Sequence, residues 1–363
     1  MLHSTDEKLT RYQALIQRED TGRPMFGLLW EPTVGPHPAF VEKIGAGTIL
    51  EPHHIDPEMF MPYIEEYYQK AQGWKQDTIQ PFCMSWGMPW LEAIAGAPLS
   101  VEPGGIWAGP TVKSYDSRKP IEFDPDNNWL RKLLECYEAL SLHSGGRFPV
   151  ALPTMRCPLD SLAALRGPAE MCLDFYDHPD EVHRVLGELA ELYIKVNEAV
   201  LDVILPFENG HSTRMHLWAP GKAITPQNDI STIVSTRTYE EFALPWDRKI
   251  IERFDYHSYH LHAPEHHIYE ILADIEPLTA LQVTLDFTPG DFGLEDMIPI
   301  LRRVLSKKPI ILVCLDFEQA ERCLEALPGA GLCLMLAPQF TTDPDDVGHI
   351  RPEYIEWLEK HCQ

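Results

Sequence analysis

The sequence predicts an α/β fold: a (β/α)8 barrel of the TIM type with an insertion between its second and third strands. Short apolar strands alternate with amphipathic helices in the C-terminal half, which is the pattern of a parallel sheet covered by helices. Eight candidate strands can be counted, and the 363 residues exceed the minimum of about 250 that such a barrel needs. No Gly-x-Gly-x-x-Gly follows any strand, which disfavours the alternative of an open doubly wound sheet.

The C-terminal half supplies four of the eight strands. They are short runs rich in β-formers at 257–262, 281–286, 310–316 and 331–338. After the first of them, Pro264 suits a first helical turn, and Ile268, Ile271 and Ile275 follow at helical spacing. This half therefore predicts consecutive βα units.

The N-terminal half repeats the pattern less regularly. Its four predicted strands are 24–30, 78–86, 148–154 and 201–207. Before the last of these, apolar residues recur at helical spacing from Val182 to Val200 and predict a long helix that begins at Pro179. The stretch 87–147 is interrupted by Pro and Gly and predicts the insertion. Without an internal repeat or a linker-like tract, the expectation is one barrel domain over residues 1–363.

Composition excludes several classes of function. The net charge of −25 argues against nucleic-acid and membrane partners, since both carry negative charge. The eight cysteines contain no Cys-x-x-Cys pair, so neither a disulfide framework nor a zinc ribbon is expected. The N-terminus has no apolar signal region, and no apolar stretch approaches the roughly 18 residues that span a bilayer. These features predict a soluble, cytoplasmic protein.

His260 and His262 form a His-x-His pair at the end of a predicted strand, where barrel enzymes place their active sites. Alternate residues of a strand point to the same side, so the two rings should project together, with Cα atoms about 6.5–7 Å apart. Both ring nitrogens could then reach one Zn²⁺, or one histidine could bind substrate while the other transfers a proton. A pair of hydrogen-bonded core histidines is the third interpretation, and the sequence leaves all three open.

Other side chains that follow the predicted strands are candidates for the same site. Glu208 is the candidate third metal ligand, with His211, Asp286 and Cys333 as further options, although no local spacing selects among them. Arg156 and Asp286 are catalytic candidates. The Arg156 guanidinium could clamp a carboxylate or phosphate, or form a salt bridge with Asp160 or another acid. The candidate substrate-binding residues are Trp30, Glu31, Trp86, His211, His216 and Trp218.

Three segments carry a family resemblance. They read "RCPLDSLAALRGPAEMCLDFYDHPDEVHRVLGELAELYI", "DISTIVSTRTYEEFALPWDRKIIERF" and "YHLHAPEHHIYEILADIEPLTALQVTLD". They resemble the uroporphyrinogen decarboxylase superfamily, which also includes zinc-dependent methyltransferases that act on corrinoids or thiols, and the resemblance covers roughly residues 145–340 of this sequence. The resemblance implies a (β/α)8 barrel.

The sequence departs from both branches of that superfamily. The segment "RPMFGLLWEPTVGPHPAF" lacks the Arg-x-x-Gly-Arg motif and the catalytic Asp of the decarboxylases. The methyltransferase branch implies zinc ligands in His-x-Cys and in a distant Cys. Here His260 matches the His, His262 replaces the first Cys, and Gln339 and Phe340 stand where the second Cys would fall. A zinc site would need Glu208, Asp286 or another group, and would favour oxygen ligands.

The leading functional hypothesis is therefore methyl transfer from a small methylated organic substrate to a thiol or to a corrinoid protein. Zinc is the implied metal, and the corrinoid would be carried by a partner. The alternatives are a cofactor-independent decarboxylase or other lyase acting on an organic acid, and a barrel that binds a ligand without catalysis. The sequence leaves a homodimer open.

Overall fold

The computed structural model describes residues 4–29, 40, 43–84, 87–102, 105–287, 290, 292–337 and 350–362. The helices are α1 Thr5–Gln17, α2 Met61–Ala71, α3 Trp90–Ile94, α4 Asn128–Ser144, α5 Pro158–Arg166, α6 Pro168–Asp177, α7 Pro179–Val203, α8 Leu244–Ile251, α9 Tyr269–Ala273, α10 Leu294–Leu305, α11 Phe317–Ala326 and α12 Pro352–His361. The strands are β1 Met25–Leu28, β2 Ile49–Leu50, β3 Leu99–Glu102, β4 Gly105–Ala108, β5 His211–Ser212, β6 Trp218–Ala219, β7 Ala223–Ile224, β8 Tyr256–His262, β9 Ala280–Thr284, β10 Ile310–Cys314 and β11 Leu332–Leu336. Short helical turns cover Pro52–His54, Pro57–Met59, Asp229–Ile233, Thr236–Thr238, Tyr239–Ala243 and Ala263–Ile268.

Six of these strands form one parallel sheet in the order β1-β11-β10-β9-β8-β7. Every neighbouring pair in it is parallel. The four strands predicted in the C-terminal half correspond to β8, β9, β10 and β11, and the first predicted strand corresponds to β1. The predicted α/β class, with a parallel sheet and intervening helices, is confirmed.

The predicted strand at 201–207 is wrong in its position. Helix α7 continues to Val203, because its apolar stripe extends through Val196 and Val200, which are buried in one cluster with residues of α4. The strand that pairs with β8 on this side is β7, which the short segment Ala223–Ile224 forms. Helical periodicity therefore prevails over the β-forming residues at the start of "LDVILPF".

Residues 78–86 and 148–154 make one parallel bridge, between Phe82 and Val150, and no longer ladder within the described residues. The Phe82 N–H donates to the Pro149 carbonyl at 3.0 Å. The stretch 87–147 between them forms α3, β3, β4 and α4, and β3 and β4 join β2 in a three-stranded antiparallel sheet. An inserted substructure therefore lies where the sequence predicted one.

One face of the parallel sheet packs on the β5–β6 hairpin, which immediately precedes β7. Side chains of that face, such as Val313 and Met335, share a buried cluster with Met215 and Leu217 of the hairpin. The Ser258 hydroxyl of β8 donates to Thr213 Oγ1 of the hairpin at 2.9 Å. Because strand residues alternate between faces, His260 and His262 lie on this same face of β8.

Among the residues that the structure describes, no helix has both the length and the apolar composition needed to cross a membrane.

Candidate functional site

The two histidines lie together at the C-terminal end of β8. In the parallel register, His260 is opposite Gln282 and His262 is opposite Thr284 of β9. Their Nε2 atoms are 3.0 Å apart. His260 is buried, whereas the His262 side chain is 31% exposed. Solvent therefore reaches the pair through His262.

Each ring is oriented by a hydrogen bond from its Nδ1 atom to a residue of β9 or of the segment that follows β9. Gln282 uses its amide N–H to donate to Thr284 Oγ1 at 3.1 Å, so its oxygen is left to accept the Nδ1–H of His260. The Nδ1–H of His262 donates to Asp286 Oδ2 at 2.5 Å. With both Nδ1 atoms engaged as donors, Nε2 is the atom of each ring that is left for the other histidine or for a ligand, and the two Nε2 atoms lie at hydrogen-bond distance from one another.

Asp229 completes the group. Its carboxylate and the two histidines present ligand atoms that all lie within 4.8 Å of one another. One carboxylate oxygen, Oδ1, is 4.0 Å from His262 Nε2, and the other accepts from the Gln227 side-chain N–H at 3.0 Å. Two imidazole nitrogens and one carboxylate oxygen form a ligand set that suits a divalent transition metal.

Burial and charge set the two histidines apart. Burial lowers the pKa of His260 to about 4, although the Asp229 carboxylate opposes this shift. Burial also lowers the pKa of His262, but the hydrogen bond to Asp286 and the charge of Asp229 outweigh it and raise that pKa to about 9. Burial raises the pKa of Glu265 to about 8, with a further increase from Asp229. Without a metal, His262 is therefore the cationic member of the pair at neutral pH.

Arg156 lies beside this group and is paired with a buried acid. Its Nε is 3.0 Å from an oxygen of Glu92, whose side chain is 1% exposed, while the arginine keeps 33% of its exposure. Burial lowers the pKa of Arg156, but the charges of Glu92, Asp160 and Asp229 outweigh this and raise it. Of the alternatives considered for Arg156, the structure contains a salt bridge to an acid other than Asp160. Its terminal nitrogens remain partly accessible.

Glu208 does not belong to this group of ligand atoms. It is exposed in the turn between Phe207 and Gly210, with a left-handed backbone (φ 49°). Asp229, and not Glu208, supplies the third ligand atom of the cluster. The reason is the misplaced fourth strand: with β7 at 223–224, the loop that follows it begins about twenty residues later than predicted, and Asp229 lies on that loop.

The remaining candidates from the sequence lie on the hairpin or outside the described residues. His211 Nδ1 hydrogen-bonds to the Gly221 carbonyl at 2.9 Å, and Trp218 donates to the Phe207 carbonyl at 2.9 Å while its ring lies 6.5 Å from that of Tyr12 in α1. His216 is buried on the same hairpin. Trp30, Glu31 and Trp86 lie outside the described residues, as do Gln339 and Phe340.

The cysteines stay apart from the histidine pair. All eight are free thiols, and Cys333, a candidate ligand by sequence, is buried on β11 opposite Met25 of β1. Burial raises its pKa, which keeps the thiol protonated. No thiolate is therefore grouped with the two histidines among the residues that the structure describes.

Comparison with known proteins gives a fold and no family. No known family and no curated protein matches the sequence. Among solved structures, a methyltransferase from Methanosarcina mazei is similar, with a TM-score of 0.65, 14% identity, and 98% of each chain covered. At this identity the likeness shows that the two chains share a fold over nearly their whole length.

Proposed function

We propose that this protein is a metal-dependent enzyme that transfers the methyl group of a small methylated organic substrate, and that Asp229, His260 and His262 hold the metal. The observation that supports this most directly is the convergence of their three ligand atoms within 4.8 Å at the C-terminal end of a parallel sheet. The structurally similar chain from Methanosarcina mazei is a methyltransferase, which makes methyl transfer the first chemistry to test.

The residues present fit a divalent cation such as Zn²⁺. Asp229 Oδ1 is inaccessible to solvent and has no hydrogen-bond partner among the described residues, which is costly for a carboxylate oxygen unless a cation is bound. The Nε2 atoms of His260 and His262 are 3.0 Å apart, close enough for both to bind one cation that displaces the proton of their hydrogen bond. Three protein ligands leave a fourth position for substrate, which is the composition of a catalytic zinc site.

A bound divalent cation would supply Lewis acidity, which lowers the pKa of an acceptor thiol or polarises the heteroatom that carries the methyl group. The chain's own residues would orient this site. Gln282 and Asp286 hold the two rings through Nδ1, and such outer contacts fix both the tautomer and the ring plane.

The ligand set also indicates how a substrate would bind. One carboxylate and two neutral imidazoles leave a divalent cation with a net positive charge, whereas two thiolates would neutralise it. A more electrophilic cation prefers oxygen donors. We therefore propose a substrate that approaches through oxygen, such as an O-methyl compound, with a thiol or a partner's corrinoid as the methyl acceptor.

Arg156 would orient an anionic group of that substrate. It is held by Glu92 at Nε, which leaves its two terminal nitrogens to bind a carboxylate or phosphate in a bidentate manner.

We also propose that the parallel sheet closes as an eight-stranded barrel within a single domain. Asp77 donates its N–H to the Phe26 carbonyl at 2.9 Å, and Cys157 donates its N–H to the Gln227 carbonyl at 2.8 Å. The Phe82–Val150 bridge lies between these two contacts. Together the three connect the edge of β1 that faces away from β11 to the end of β7, on the edge that faces away from β8.

The metal is tested by elemental analysis of protein purified without a histidine tag. We expect about one equivalent of a divalent transition metal in the wild type and a loss of most of it in H260A and D229N. H266A is the matched control, because His266 lies on the next turn with its ring stacked on Phe292, 4.0 Å between centroids. A metal content that is zero in the wild type, or unchanged in H260A, would remove the metal from the proposal.

Methyl transfer is tested in two assays that both contain a small thiol as the methyl acceptor. One follows demethylation of methylcobalamin, which gives cob(I)alamin and the methyl thioether, and the other follows demethylation of O-methyl compounds, which gives the free hydroxyl compound and the same thioether. We expect turnover by the metal-loaded wild type and H266A, and a decrease of at least ~100-fold in H260A, in line with the loss of an electrostatic catalyst. Absence of turnover by a metal-loaded wild type across both assays would contradict the proposed chemistry.

A further inference from the structure

Asp229 is a half-exposed residue on the short helical turn Asp229–Ile233, which buried residues anchor on either side of it. The neighbouring residues Asn228 and Ser231 are 0% exposed, and the Asp229 side chain keeps 42% of its exposure. A short segment joins β7 to this turn, and the segment meets the histidine strand where the His260 N–H donates to the Pro226 carbonyl at 2.9 Å. What holds such a turn decides where the Asp229 carboxylate lies.

The first contact comes from Asp160 in the first turn of α5. Its carboxylate accepts the backbone N–H of Asp229 at 3.0 Å and that of Ile230 at 2.7 Å. Asp160 is 5% exposed, so water competes little for these hydrogen bonds. The two N–H groups begin a short helical turn and would otherwise be without partners.

The second contact comes from Asp247 in α8. Both of its oxygens accept from the side-chain N–H₂ of Asn228, at 2.9 and 3.0 Å. The hydroxyls of Tyr239 and Tyr259 donate to the same carboxylate at 2.6 and 2.7 Å. Because Tyr259 belongs to β8, this network ties the turn to the strand that carries both histidines.

The third contact comes from Glu265, in the helical turn after β8. The Ser231 hydroxyl donates to one of its oxygens at 2.5 Å, and the backbone N–H of His262 donates to the other at 2.6 Å. One buried carboxyl group thus bridges the Asp229 turn and the backbone of a proposed metal ligand.

We infer that Asp160, Asp247 and Glu265 form a carboxylate clamp that positions Asp229 against the two histidines; the inference rests on the metal site proposed above. Burying three carboxyl groups around one short turn costs free energy, and each recovers it only through the hydrogen bonds that fix the turn. The clamp joins α5, α8 and β8, so it holds Asp229 in register with His262 before any metal arrives. These three are positioning residues: they touch the turn, and Asp229 alone among the four would touch the metal.

The test compares two buried serines that each donate one hydroxyl. Ser231 donates to Glu265 at 2.5 Å in the clamp, and Ser144 donates to the Phe148 carbonyl at 2.6 Å at the end of α4. S231A and S144A therefore remove the same group from similar surroundings. We expect the Zn²⁺ dissociation constant, measured by competition with a chromophoric chelator, to rise roughly 10-fold or more in S231A and to change less than about twofold in S144A. Their melting temperatures without metal should fall by similar amounts.

A second measurement is independent of metal. Hydrogen exchange of residues 228–231 in metal-free protein should accelerate in S231A and in D160N, and stay at the wild-type rate in S144A. Unchanged exchange in both clamp variants, or unchanged Zn²⁺ affinity in folded S231A and D160N, overturns the clamp. A wild-type protein that binds no Zn²⁺ overturns the proposed function instead, and exchange of this segment then decides the clamp by itself.

Discussion

The protonation of His262 depends on two neighbouring carboxylates, Asp286 and Asp229. Its Nδ1–H donates to Asp286 at 2.5 Å, and each of the two side chains is about one-third exposed. Burial acts to lower the pKa of the imidazole, and the contacts with Asp286 and Asp229 reverse the sign. His260, with a neutral amide as its partner, keeps a lowered pKa. Two histidines two residues apart therefore differ because one faces a carboxylate and the other an amide.

D286N should lower the pKa of His262 by at least about one unit, because an amide no longer stabilises the imidazolium. The measurement is an NMR titration of histidine-labelled, metal-free protein. D316N is the control, since Asp316 is also a strand-end acid but accepts from the Gln319 N–H at 2.8 Å. A pKa that stays near 9 in D286N would assign the shift to Asp229.

The same pair determines one part of the pH dependence of stability. The pKa of His262 is about 9 in the folded protein, above the ordinary histidine value of 6.5. The folded state therefore binds the proton more tightly than the unfolded state. The contribution of protonated His262 to the free energy of unfolding is fully present below pH 6.5 and is lost as the pH rises through 9. D286N should lose this part of the pH dependence of stability.

At the scale of elements, the β5–β6 hairpin is the unexpected part of the fold. It packs Met215 and Leu217 on the sheet face that carries the histidines. Gly210 lies where the hairpin begins, and a Cβ there would come within 2.3 Å of the Ala219 carbonyl oxygen and 2.8 Å of the Trp218 ring. This close approach of two backbone segments requires a residue without a side chain.

G210A should lower the free energy of unfolding by roughly 1–3 kcal/mol, because the backbone of β6 must move to admit the methyl group. Urea denaturation measures the change. In G73A the nearest atom to the new methyl group would be 3.8 Å away, so stability should change by less than about 1 kcal/mol. Equal stability of G210A and G73A would show that the hairpin adjusts without cost.

For the whole molecule, the dominant quantity is the charge of −25, from 55 acidic and 30 basic residues. Surface ion pairs such as Arg322–Glu295 and Arg303–Glu270 compensate part of it locally. The remaining acids repel one another in the compact state, and this repulsion is screened by salt.

Raising NaCl from 0.01 to 0.1 M shortens the screening length from about 30 to about 10 Å. We expect the melting temperature of the metal-free protein to rise by roughly 1–2 °C, the change that about 1 kcal/mol produces in a chain of this length. Calorimetry measures it, with a neutral osmolyte as the reference for non-ionic effects. A melting temperature that falls with salt would mean that the ion pairs contribute more than the net repulsion costs.

Local patterns in the sequence were sufficient for the C-terminal part of the sheet. Runs of six to eight residues rich in β-formers, separated by amphipathic helices, predicted β8, β9, β10 and β11. Alternation along β8 predicted that His260 and His262 project together, and their Nε2 atoms are 3.0 Å apart. Both inferences depend only on neighbours within one element, which is why they could be made without a structure.

Asp229 and its clamp could not be read from the sequence. The strand before Asp229 has two residues, too few to show a period, and the helix before it extends into the strand expected at 201–207, as far as Val203. Asp160, Asp247 and Glu265 come from three elements up to about a hundred residues apart, and only the packing of those elements brings them to one turn. The sequence by itself therefore determined the C-terminal part of the sheet and the histidine pair, because periodicity is local. The tertiary structure decided that Asp229 is the third residue of the proposed metal site, because hydrogen bonds between distant segments place it.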